Sequence, residues 1–148
     1  MPMAIPKPIA DARLGTNPTV VCWVPSGWAV MADMQFLHGY IILLADPVVA
    51  SINDLDRLQR AAFLNDMTLI GDALLEVTGA FRINYEILGN LDPALHAHII
   101  PRYLSEPEEL RKGPAFFYDK DFRNSIKFDY EWDKALMQQL AAAMKARL

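Results

Sequence analysis

Asn90-Leu91-Asp92-Pro93-Ala94-Leu95-His96-Ala97-His98-Ile99-Ile100-Pro101-Arg102-Tyr103 is the stretch that decides how this chain is read. Successive side chains of a strand point to opposite faces, so His96 and His98 share one face and Leu95, Ala97 and Ile99 the other. The apolar set can anchor the strand in a core, which leaves two imidazoles side by side above it. Histidine titrates near physiological pH, at about 6.5, so such a pair can serve as nucleophile, acid, base or metal ligand.

The residues themselves leave three readings open. One imidazole can attack phosphorus and form a covalent phospho-imidazole while the other donates to the phosphoryl oxygens or the leaving group. Alternatively, His-x-His supplies two metal ligands, although a closed site wants about four and only His38 and carboxylates remain to complete it. The third reading is two half-buried histidines at a sheet edge, bonded to their neighbours and chemically idle. Asn84 on the preceding strand and Gly89-Asn90 in the turn favour a functional site, because asparagine amides can donate to an oxyanion.

Around this strand the chain reads as one α+β domain. Thr19 to Val24 and Trp28 to Ala32 flank the turn signal Pro25-Ser26-Gly27 and predict a hairpin, and the uninterrupted apolar run Tyr40 to Leu44 predicts a central strand. Asn53 and Asp54 are good helix starters. Leu55, Leu58, Phe63, Met67, Ile70 and Leu74 then recur on one stripe up to Gly79, predicting one long amphipathic helix. Ala80 to Ile87 alternates as a fourth strand, and the histidine strand is the fifth. The four prolines before residue 19 predict an extended arm over 1–18. Residues 104–148 read as an extension that packs on the 19–103 body or on a subunit interface, irregular after Tyr103 and closing in a helix with Trp132, Leu136, Leu140 and Met144 on its apolar side.

Composition narrows the classes further. The chain has 148 residues, 53% of them hydrophobic, enough for one core. Fourteen basic against 18 acidic residues give a net charge of -4, which argues against binding a nucleic-acid polymer through its backbone. The single cysteine, Cys22, has no partner for an intramolecular disulfide. The proline-rich start and the short apolar runs predict a soluble, cytoplasmic protein with no membrane partner.

Asn84, Gly89-Asn90 and Leu95-His96-Ala97-His98-Ile99-Ile100-Pro101-Arg102 together resemble the histidine triad (HIT) superfamily of nucleotide hydrolases and transferases, whose motif is three histidines alternating with apolar residues, often followed by Pro-Arg. The resemblance extends upstream through the strand pair, Gly39 and the long helix, covering about Thr19 to Tyr103. In that register His98 is the third histidine, His96 the second and the family's nucleophile, and Ala94 occupies the first position. The resemblance implies an antiparallel sheet of about five strands with the long helix on it, a homodimer, and a nucleotide-type small-molecule substrate. It implies hydrolysis or nucleotidyl transfer on a dinucleoside polyphosphate or related conjugate through a nucleotidyl-histidine, with no metal or other cofactor required. His96, His98 and Asn90 would be catalytic, and Asn84, Asp33, Gln35 and His38 would contact the nucleotide. The loss of the first histidine motivates the alternative of a HIT-fold nucleotide-binding protein with little or no turnover.

Overall fold

The computed structural model describes residues 3–148. Five antiparallel strands, β1 (Val20–Val24), β2 (Gly27–Met31), β3 (Ile41–Ala45), β4 (Arg82–Glu86) and β5 (His96–Arg102), form one sheet in the order β1-β2-β3-β5-β4. The apolar run expected to be central is indeed flanked on both sides, with Ile42 opposite Val30 on one side and opposite His98 on the other. The histidine strand is the next one in, lying between β3 and the edge strand β4.

Helix α2 (Arg57–Thr78) crosses one face of the sheet and packs against helix α5 (Tyr130–Lys145). Its start lies slightly later than expected: Ser51 caps a separate 3₁₀ turn over Ile52–Asp54, and Asp56 then opens the α-helix in a capping box with Gln59. Leu58 consequently falls in the first turn and is exposed, whereas Phe63, Ile70, Ala73 and Leu74 are fully buried. Each large side chain of that stripe contributes about 1.5–3 kcal/mol of apolar burial. Gly79 ends the helix with φ at 73°, a left-handed conformation that costs glycine little. Gly71 lets β4 approach, since a Cβ there would lie 1.9 Å from the Tyr85 hydroxyl.

Three departures from the sequence expectation have clear physical causes. Residues 7–14 of the predicted extended arm form a helix, α1 (Lys7–Leu14), because its prolines sit at the N-cap and in the first turn, where a missing amide hydrogen is harmless. In α5 the buried stripe is Asp133, Met137, Leu140 and Met144, so Trp132 points to solvent. The segment after Tyr103, expected to be irregular, contains two short helices, α3 (Glu108–Arg111) and α4 (Lys120–Arg123).

That segment is fastened to the sheet by Arg102. Its guanidinium is buried and donates to the Glu106 carboxylate (2.9–3.2 Å), to Asn84 Oδ1 at 2.7 Å, and to the carbonyls of Leu110 and Gly113 at 2.8 and 2.6 Å. Burial pushes the Glu106 carboxyl up, but Arg102, the Tyr103 amide and the Tyr118 hydroxyl outweigh it and hold the group below its ordinary value. A second apolar cluster forms over this half of the face from Phe36, Leu37, Tyr40, Ile100, Ala115 and Tyr118.

Glu106→Ala strands a buried guanidinium, and we expect a loss of about 3–5 kcal/mol in urea unfolding. Glu108→Ala, which removes the exposed pair with Lys112, costs about 0–1 kcal/mol by the same measurement. Equal losses would contradict the role given to Arg102.

Candidate functional site

The two faces of β5 divide its labour. Ala97 and Ile99 are fully buried against the helices, while His96, His98, Ile100 and Arg102 project to the opposite side. Cross-strand register then sets the neighbours of the histidines: Leu44 lies opposite His96, and Ile42 and Glu86 lie opposite His98 from the two flanking strands. The two imidazole rings stand edge to face, with centroids 4.9 Å apart.

Each ring is held in a different tautomer. His96 Nδ1 lies 2.7 Å from the main-chain carbonyl of Ala94, an acceptor only, so Nδ1 carries the hydrogen and Nε2 of the neutral ring presents a lone pair. His98 Nδ1 lies 2.5 Å from the Tyr40 hydroxyl. Burial, then the Glu86 carboxylate, push the Tyr40 hydroxyl far above its ordinary value against the opposing charge of Arg123, so the phenol keeps its proton; that proton meets no acceptor among the described residues other than His98 Nδ1, and the hydroxyl donates there. That assigns the His98 hydrogen to Nε2. Burial and the neighbouring His96 lower the His98 pKa to about 4, so the ring is neutral at pH 7. One imidazole thus offers a nucleophilic nitrogen and its neighbour a hydrogen-bond donor.

The rest of the predicted set separates from this pair. Gln35 is buried and fully occupied: its amide nitrogen donates to the carbonyls of Ala32 and Tyr40, and its oxygen accepts from the Gly39 amide. It shapes the turn into β3 and has no group left for a nucleotide. His38 is directed to the α5 side, where its Nε2 meets Asp133 Oδ1 at 2.9 Å. It lines a different and larger groove, about 800 Å³, with Thr78, Tyr103 and Asp119. Asn84 shares the histidine face, but its carbonyl oxygen accepts from Arg102, so its first role is in the anchor of the C-terminal segment. Asp33 is exposed on the loop after β2, and Asn90 is exposed in the β4–β5 turn. Neither side chain takes part in a hydrogen bond among the described residues.

Sequence reasoning missed Tyr40, Glu86 and Phe116. Glu86 lies on the histidine face with Oε2 buried and unpartnered, and burial raises its pKa. The Phe116 ring stands edge-on to His98 at 6.4 Å between centroids. Alternation along β4 from Asn84 to Glu86 was a usable signal for the second; nothing local marks Tyr40 or Phe116, which reach His98 only through tertiary structure. Beside His96 opens a cleft of about 320 Å³ lined by Ser51, Asn53, Ile87 and Gly89 among others. Among the described residues no cluster of three or more histidine, cysteine or acidic side chains is arranged to hold a metal ion. No described helix is long and apolar enough to cross a membrane.

No protein-family model and no curated protein matches the sequence. Solved structures do match the fold. A histidine triad protein from Bradyrhizobium japonicum is similar at a TM-score of 0.75 with 21% identity, over 97% of this chain and 99% of that one. One from Marinobacter aquaeolei gives 0.73 and 19%, over 91% and 94%. A hypothetical histidine triad nucleotide-binding protein from Sulfolobus tokodaii gives 0.73 and 13%, over 95% and 93%. The α+β fold of this chain is therefore the one found in histidine triad proteins, over nearly its whole length.

The depressed His98 pKa makes stability depend on acidity. Between pH 6.5 and about 4 the unfolded chain protonates this ring while the folded chain does not, so stability falls as pH is lowered through that window. With screening at a half-buried ring the share is about 1–2 kcal/mol. The loss in urea stability from pH 7 to pH 4 should accordingly shrink in His98→Asn; an unchanged loss would refute the assignment.

Proposed function

We propose that this protein is a nucleotide hydrolase or nucleotidyl transferase that acts on a dinucleoside polyphosphate or related nucleotide conjugate through a covalent nucleotidyl-histidine at His96. The observation that carries this reading is the hydrogen bond from His96 Nδ1 to the Ala94 carbonyl. It fixes the ring so that Nε2, the only other nitrogen, is unprotonated in the neutral form and faces the same side as His98. In the register of the HIT motif Ala94 stands at the first histidine position. The hold on His96 is made by the main chain of that residue, so an alanine side chain there leaves it intact.

The reaction runs in two displacements. The Nε2 lone pair attacks the α-phosphorus, a P–N bond to His96 forms, and the bond from phosphorus to the leaving group, P–O in a polyphosphate or P–N in a phosphoramidate, breaks with its electron pair departing on the leaving oxygen or nitrogen. During attack the Ala94 carbonyl stabilises the positive charge that grows on the His96 ring. His98 Nε2–H donates to a phosphoryl oxygen, and Tyr40 keeps that donor in place. Water or another acceptor hydroxyl then attacks phosphorus, its proton passes to solvent, and the P–N bond breaks with its electron pair returning to His96 Nε2.

Asn90 enters the proposal as a further donor to the phosphoryl oxygens, because its amide is exposed and otherwise unbonded in the turn before β5. Asp33, also exposed, is offered to the sugar. The cleft beside His96 is of a size that suits part of a nucleoside. The Sulfolobus protein of the same fold is described as nucleotide-binding, which supports a nucleotide here, and a homodimer and a cytoplasmic location belong to the same proposal. The competing reading, a nucleotide-binding protein without turnover, rests on the absence of a histidine at position 94; the main-chain hold on His96 removes the chief reason to prefer it.

Intact-protein mass spectrometry after rapid, acid-free quenching tests the proposal with diadenosine polyphosphate and adenosine phosphoramidate. The wild type should gain one nucleotidyl group and release product over many turnovers, and His96→Ala should do neither. Equal turnover by His96→Ala would overturn covalent catalysis at this residue, and nucleotide binding without adduct or turnover would favour the binding protein.

A further inference from the structure

The segment that follows β3 is fastened against the chain just before the histidines. The Val49 carbonyl accepts from the Leu95 amide at 2.8 Å, and the Leu95 carbonyl accepts from the Ala45 amide at 3.2 Å. Ser51 and Asp54 then close a tight turn, and Arg60 of α2 locks it by donating to the carbonyls of Ile52, Asn53 and Leu55 at 3.2 to 3.4 Å. A well-braced backbone thus carries Asn53 to the wall of the cleft that His96 also lines.

Bonds within the turn orient the Asn53 amide. The Ser51 hydroxyl oxygen accepts from the Asn53 main-chain amide at 3.1 Å, and its hydrogen is given to Asn53 Oδ1 at 3.3 Å, so the Nδ2 hydrogens are left over. No hydrogen bond among the described residues uses them. Of the side chains that line the cleft, only those of Ser51, Asn53 and His96 are polar, and none is acidic, lysine or arginine. Ser51 is spent on Asn53, and the one hydrogen of the neutral His96 ring is spent on the Ala94 carbonyl. Asn53 Nδ2 is therefore the one idle side-chain donor in the cleft. That inventory selects what the cleft can receive. A phosphoryl group offers acceptors alone and must lie at His96 if Nε2 attacks it, whereas a ribose hydroxyl brings a donor of its own for which the cleft has no carboxylate.

Resting on the nucleotide reading above, we infer that Asn53 Nδ2 donates to a non-bridging oxygen of the phosphate that His96 attacks, as a second side-chain donor beside His98. This contact comes from the turn between β3 and α2 and lies outside the strand that carries the histidines.

Calorimetric titration of the full chain with AMP and with adenosine tests this, because only AMP carries the phosphate. Asn53→Ala should weaken AMP binding about tenfold, the share of one hydrogen bond to a charged group, with adenosine binding and the melting temperature unchanged. Asn53→Asp keeps the shape of the side chain and an oxygen for the Ser51 hydroxyl, so it should melt like the wild type yet bind AMP more weakly still, because a carboxylate then faces the phosphate. A role confined to the turn would leave AMP binding by Asn53→Asp intact. Undiminished AMP affinity in Asn53→Ala, or a parallel loss for adenosine, overturns the inference while leaving the nucleotide reading in place. Failure of the wild type to bind AMP overturns both.

Discussion

Everything at the candidate site depends on the alternation of β5. A strand that buries Ala97 and Ile99 under two helices must turn His96 and His98 outward, and a register slip of one residue would exchange the two sets. The slip is blocked from both sides, because β3 pairs with His96 to Ile99 and β4 with His98 to Arg102. The apolar core and the histidine pair are therefore two consequences of one pattern. The fully buried positions supply the stability, and the outward positions inherit a fixed backbone on which side-chain geometry can be set closely.

The main chain and one tyrosine then give two chemically identical side chains different roles. The Ala94 carbonyl accepts from His96, and Tyr40 donates to His98, so one imidazole exposes a lone pair and the other a hydrogen. Because the first of these partners is a backbone atom, it survives substitution of the side chain that bears it. The hold on His96 therefore does not depend on which side chain stands at position 94. The C-terminal segment completes the face: Arg102 and Glu106 anchor it, Tyr118 fills the second cluster, and Phe116 is carried to the edge of the histidine pair.

Much of this was legible in the sequence because it follows from local pattern. Period-two alternation marked β4 and β5, the apolar run at 40–44 marked the sheet centre, and Gly79 marked the end of α2. Where reading failed, the cause was a partner far along the chain. Gln35 and His38 looked like ligand contacts because polar loop residues near a site invite that reading; one is spent on three main-chain groups and the other on Asp133, 95 residues away. Arg102 gives no local sign of its anchoring role, since nothing in its neighbourhood reveals that residues 104–118 fold back over it. Tyr40 and Phe116 carry no local signal of their meeting with His98. The prolines of the first 18 residues misled in a different way: their positions within the turn mattered more than their number.

Before any substrate arrives, the neutral rings of His96 and His98 carry their hydrogens on opposite nitrogens. Two-bond 15N–1H correlation spectra of the histidine side chains in the unliganded protein at pH 7 measure this directly, with His96→Gln and His98→Asn used to assign the signals. The expected spectrum has the hydrogen of the neutral His96 ring on Nδ1 with Nε2 bare, and that of His98 on Nε2 with Nδ1 bare. A His96 signal with its hydrogen on Nε2 would contradict it, because the nitrogen meant to attack phosphorus would have no lone pair to offer.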